Sequence, residues 1–219
     1  MDDLLYLECP CTSFPRSFAR DFKETYLYPP PSTLYGFLLS LVGEEDMSAH
    51  LGVRLAIGIL GDDSPISRIV RKQFSHGLDG STQYSASQLS IPNFQELLTD
   101  VRIALKIDSS NEMASIKLSE RVAIALSSPS QILRFGGLSL GESWAMINGI
   151  RNYRETDGTI RWLVKDNRGL IGLPIWIDRN TSQGTFQRFS LGEYSDQCLV
   201  DIIAPILTTT KSKKSSKDK

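Results

Sequence analysis

Apolar and polar residues alternate from the start of the chain. Leu5, Leu7 and Cys9 interleave with Tyr6 and Glu8, so residues 3–12 read as an opening strand. The period then lengthens. Leu34, Phe37, Leu38, Leu41 and Val42 fall on one face of a helix, with Gly43 as its stop. Pro29, Pro30 and Pro31 stiffen the approach, and Ser32 and Thr33 stand where helix-capping residues belong. Residues 53–60 read as a strand buried on most of its surface, and 66–74 as another after the break at Ser64-Pro65. Residues 75–92, rich in Ser, Gly and Gln, carry no period and read as a long loop. Val101, Ile103, Leu105 and Ile107 alternate, which predicts a strand over 100–108. Residues 112–127 are predicted helical, with Pro129 as the stop. Ile132–Phe135 take the place of the next strand, and further strands follow near 159–165, 171–177 and 186–191.

Reduced to its frame this order is βαββαβ, the α+β ferredoxin-like (RRM-like) arrangement. A hairpin extension around 66–92 and additional C-terminal strands decorate it. The expectation is one domain over 1–207. It has a sheet covered on one face by two helices and free on the other, the face where related folds hold RNA.

Composition narrows the choice of function. The chain has 219 residues, 41% hydrophobic and 22% charged, with a formal net charge of -1. Strong basicity marks proteins that coat nucleic acid unaided, and it is missing here. A short segment held within a larger assembly remains compatible with a neutral chain. Residues 208–219 form a basic Ser/Thr/Lys tail, Lys211, Lys213, Lys214, Lys217 and Lys219 against Asp218, with no apolar surface to bury; disorder is expected there. No stretch resembles a secretory leader or a membrane span, and an odd set of cysteines (Cys9, Cys11, Cys198) fits reduced thiols in a cytoplasm. His50 and His76, the only histidines, lack ligand spacing, so no metal or other cofactor is expected.

Three segments carry candidate chemistry. The first is Pro29–Gly36, where a helix N-terminus with the hydroxyls of Ser32 and Thr33 suits a phosphate; a plain capped helix start is the alternative. The second is the glycine-rich stretch from Arg134 through Gly136, Gly137 and Gly141 to Ser143. It lets a backbone approach a ligand, but its spacing matches neither the dinucleotide nor the Walker pattern. The third is Ser67–His76, with Arg68, Arg71, Lys72 and His76 and no acid, suited to clamping a single strand; a solvated basic strand is the alternative. Catalytic stock is scarce: His50, His76, Tyr26, Tyr28, Tyr35 and Lys72 form no diagnostic pair, and no serine lies in a nucleophile elbow. The run Glu44-Glu45-Asp46 reads as a solvated loop.

Residues 28–45, Tyr-Pro-Pro-Pro-Ser-Thr-Leu-Tyr-Gly-Phe-Leu-Leu-Ser-Leu-Val-Gly-Glu-Glu, resemble the N-terminal signature of the Cas-five family, a branch of the RAMP superfamily of CRISPR-associated proteins. The Arg134–Ser143 stretch is similar to the family's glycine-rich segment, and Leu5–Phe14 followed by Arg16 and Arg20 fits its start. The resemblance covers most of residues 3–145 and is nearest to the type I-B or myxobacterial-type branch. It implies a non-catalytic subunit of a type I Cascade complex that grips the five-prime handle of the crRNA. Its other implied partners are backbone RAMP subunits, the large subunit and target DNA close by. No membrane and no small-molecule ligand are implied. The basic hairpin would act as a thumb on the RNA. One branch of the family, type I-C, cleaves precursor RNA itself, so a metal-independent endoribonuclease is the alternative.

Overall fold

The computed structural model describes residues 4–16, 22–74, 90–178, 181 and 183–202, without the side chains of 72–74 and 90–91. Arg20, His76, most of the expected 75–92 loop and the 208–219 tail lie outside the described residues. The elements are β1 (Leu4–Thr12), β2 (Phe22–Lys23), α1 (Pro31–Leu41), β3 (Arg54–Leu60), β4 (Ile66–Phe74), β5 (Ser90–Asp108), α2 (Leu118–Ser127), β6 (Gly149–Asn152), β7 (Ile160–Lys165), β8 (Ile171–Ile177), β9 (Gly184–Gly192) and β10 (Val200–Asp201).

One sheet runs in the order β6-β1-β5-β3-β7-β9-β8, with every pair in this path antiparallel. The strand that follows α2 is β6, not Ile132–Phe135, which take no strand conformation. Leu5, Leu7 and Cys9 of β1, Leu55, Ile57 and Ile59 of β3, and Ile103 and Leu105 of β5 face α1 and α2 in the main core. Alternation predicted β1 and the C-terminal half of β5, and near-continuous apolar character predicted β3.

The axis of the molecule is β5. At about 3.3 Å per residue, its 19 residues span about 60 Å. Its C-terminal half lies between β1 and β3. Its N-terminal half pairs with β4 from Ile66↔Leu98 to Phe74↔Ser90, projecting as a hairpin, and β2 joins it in parallel at Phe22↔Phe94. The stretch 90–99 was expected as loop and gap. Pro92, Asn93, Gln95 and Glu96 hide its strand character, since Pro and Asn are depleted in strands. The two halves meet at Asp100, which takes a positive φ of 54°.

α1 begins at Pro31 with Pro30 as its N-cap, and no side chain caps it. The capping expected of Ser32 and Thr33 therefore falls to proline, whose fixed φ suits the first helical turn. The helix is buried nearly all round (Leu34, Tyr35, Phe37, Leu38, Leu39, Leu41) because β8 and β9 close over its outer side. The Tyr35 and Trp176 rings sit 6.2 Å apart across that contact. α2 starts at Leu118 rather than 112: Glu112 turns inward, and its carboxylate accepts the Leu118 N–H at 2.9 Å. No helix among the described residues is long and apolar enough to cross a membrane.

The sheet face away from α1 and α2 is not wholly free. The segment 194–199 lies across it, with Cys198 and Leu199 packed on Ala56 and Trp162, and Tyr194 set edge-on to Trp162 at 5.0 Å. Lys106 stands 4.9 Å over the Tyr194 ring, and Arg151 4.2 Å over Tyr6.

Candidate nucleic-acid interface

β1 ends at Thr12 beside the root of the β4–β5 hairpin, and the next few residues fix a small polar frame. The Phe14 N–H donates to Thr25 Oγ1 at 2.8 Å. The Thr25 N–H donates to Glu96 Oε2 at 3.2 Å, and Arg68 Nε donates to the other oxygen of Glu96 at 3.3 Å. Thr25 and Glu96 are buried, so their bonds are shielded from water and fix the hairpin root against the end of β1. Arg68 lies 5.7 Å over the Phe22 ring, and Arg71 Nη1 donates to Gln95 Oε1 at 2.9 Å. Both guanidinium groups are thus tethered to strand neighbours while Arg68 stays largely exposed.

An apolar groove opens at this end of the molecule. Phe14, Pro15, Tyr26, Pro30, Thr33, Gly141, Pro174, Ile177 and Phe186 line it. Arg16 stands at the rim, 5.3 Å over the Tyr26 ring and 3.4 Å from Glu24. Thr12 Oγ1 donates to the Leu140 carbonyl, which brings the glycine-rich segment against β1. Gly141 has φ +84°, and a Cβ there would lie 2.4 Å from the Ser13 carbonyl oxygen, so only glycine fits.

The structure thus joins Arg16, Thr33 and Gly141, which are far apart in sequence, at one locus next to the hairpin carrying Arg68 and Arg71. Ser32 turns inward and donates to the Pro174 carbonyl at 3.0 Å. The helix terminus offers few free donors: Pro31 has no N–H, and the N–H groups of Thr33 and Leu34 both point to the Pro30 carbonyl.

The glycine-rich stretch is not a single turn. Leu133 packs against Gly43 at the C-terminal end of α1, whereas Gly141 lies by Phe14 and Thr33 at the N-terminal end. At 1.5 Å per residue the two ends of α1 are about 18 Å apart, which removes Arg134 and Gly136 from the groove. Gly137 packs on Met146, where a Cβ would lie 2.1 Å from the Met146 Cε. Lys72 continues the exposed hairpin strand, its side chain outside the described set. Sequence reasoning missed Pro174, Ile177 and Phe186 as groove residues, because the C-terminal strands reach the site only by folding back over α1; Tyr26, in the irregular stretch before α1, was weighed only as catalytic stock.

The remaining titratable candidates are engaged elsewhere. His50 is buried; its Nδ1 bonds Glu112, and its Nε2 accepts from Arg121 Nη1 at 2.9 Å. The Tyr35 hydroxyl donates to the Met47 carbonyl at 2.7 Å, and burial pushes its pKa up to about 12. Tyr28 donates to Asp63 at 3.1 Å, and burial also raises its pKa and that of Tyr26. Glu44, expected to be solvated, accepts from Arg121 at 2.6 Å, and that bond holds its pKa low.

Solved structures share this architecture. The chain aligns with a component of a "CRISPR RNA-guided surveillance complex" at a TM-score of 0.61 and 12% identity, covering 88% of this chain and 89% of that one. It aligns with a "Crystal structure of Cas protein" at a TM-score of 0.50 and 13% identity, covering 88% and 94%. A scan of protein-family models finds no match. Among curated proteins, the CRISPR-associated protein Cas5 of Myxococcus xanthus (strain DK1622) is 33% identical over 195 residues, 88% of this chain and 89% of that protein. The chain belongs to the Cas5 family.

Proposed function

We propose that this chain is a non-catalytic RNA-binding subunit of a type I Cascade complex that caps the five-prime handle of the crRNA. Membership of the Cas5 family supports the assembly. The observation that carries the RNA reading is the convergence of Arg16, Tyr26, Thr33, Gly141 and Phe186 on one groove, beside a projecting hairpin that carries Arg68 and Arg71. Aromatic rings offer stacking surfaces that tolerate any base, and guanidinium groups neutralise phosphate. We read the order β6-β1-β5-β3 as the ferredoxin-like frame, with β4 and the first half of β5 as the thumb. Partner subunits supply the positive charge that a chain of net charge -1 lacks. The engagement of His50, Tyr28 and Tyr35 in the fold supports a non-catalytic role, since a general base must reach the ribose in an ionisable state.

The test is co-expression of the chain with its neighbouring genes and a guide array, followed by pull-down and incubation of the isolated chain with precursor RNA in EDTA. The reading expects guide RNA in the pull-down and intact precursor in the incubation. Cleavage in EDTA would make the chain a nuclease instead.

A further inference from the structure

A second apolar groove lies at the opposite end of α1, away from the RNA locus. Val42 and Gly43 form one wall, Ile124 of α2 and Ile116 the other, and Ile132 and Leu133 the third. Its lining is unusually apolar for a surface: Leu133 is 93% exposed, Ile116 56% and Ile124 45%. Single exposed apolar residues are ordinary, but here they surround one concave site. Arg134 stands between Leu133 and Phe135, exposed and without a partner among the described residues.

The floor is built to hold its shape. Arg121 donates to Glu44, to His50 Nε2 and, at 3.1 Å, to the Val42 carbonyl. His50 in turn bonds buried Glu112, whose carboxylate accepts the first N–H of α2. Gly43, with φ +68°, lets Leu133 approach so closely that a Cβ would lie 2.2 Å from the Leu133 carbonyl oxygen. A prebuilt apolar cleft loses little conformational entropy when it is filled.

We propose that this groove docks another protein subunit of the complex, through an apolar side chain seated between Ile124 and Ile132 and a carboxylate paired with Arg134. It rests on the reading of the chain as a Cascade subunit. Charge complementarity selects the occupant: Arg121 is already paired with Glu44, and an unpaired Arg134 next to the apolar lining residue Leu133 matches an acidic–apolar protein segment. A nucleic-acid backbone would leave Leu133, Ile116 and Ile124 without a counterpart.

The experiment uses the assembled complex, purified with its guide from defined genes. A photoreactive benzophenone amino acid replaces Leu133, a position exposed enough to tolerate it. Irradiation is expected to join the chain to a protein subunit at an apolar segment next to an acidic residue. Arg134→Glu is expected to lower the yield at least tenfold while the guide stays bound. Attachment to the guide RNA instead, or no attachment in a complex that holds its guide, overturns the proposal. A preparation with neither guide nor partner subunits defeats the proposed function, and this docking site with it.

Discussion

Cys9 and Cys11 lie two residues apart in β1 and differ in chemistry. Cys9 is fully buried, its thiol directed at the Ala145 and Met146 carbonyls, and burial pushes its pKa up to about 11. Thiolate is the reactive form, so Cys9 stays protonated and shielded at pH 8. Buried Cys198 is shielded too, and half-buried Cys11 is the accessible thiol. Native labelling with a thiol reagent at pH 8 is expected to show one fast group, mapping to Cys11 by mass spectrometry; fast labelling of Cys9 would contradict the packing of β1. A second residue-scale case is Gly141→Ala. It faces both an unfavourable φ and the Ser13 carbonyl, so it is expected to cost more than about 1 kcal/mol in urea unfolding. His50→Ala leaves buried Glu112 short of a donor and is expected to cost about 2 kcal/mol, measured the same way.

At the scale of elements, the β4–β5 hairpin shows how far pattern reading reaches. β4 was legible from its alternating residues, and so was the C-terminal half of β5, whose apolar face is buried in the core. In the N-terminal half of β5 the buried positions include polar Gln95 and Glu96, so no apolar period marks it, and Pro92 argues against a strand. α1 was legible because Leu34, Phe37, Leu38, Leu41 and Val42 mark one apolar face, although burial on both sides was not. Its cap was not, since Pro30 and Pro31 do what a hydroxyl usually does. The part proposed for the hairpin in RNA binding has a salt signature. If Arg68 and Arg71 each neutralise one phosphate, Arg68→Gln with Arg71→Gln makes the log–log salt dependence of guide release shallower by about 1.4. An unchanged slope would remove the hairpin from the interface.

At the scale of the whole molecule, the proline–helix motif at 28–45 pointed to the family, and the relative from Myxococcus xanthus bears that out. The groove itself was only half legible. Thr33 and Gly141 were marked as candidates from local chemistry and Arg16 from the family resemblance, but Pro174, Ile177 and Phe186 arrive through pairing between β7, β9 and β8, which local periodicity does not encode. The same long-range folding splits the glycine-rich segment along α1, placing Gly141 at the first groove and Leu133, just before it, at the second. The proposed place of the five-prime handle is the groove between Tyr26, Thr33, Gly141 and Phe186. Ultraviolet cross-linking of the assembled complex, followed by mass spectrometry of nucleotide-bearing peptides, tests this most directly. Adducts on Tyr26 or Phe186 that carry the first nucleotides of the guide are expected. Adducts confined to other faces of the chain, with the guide retained, would contradict it.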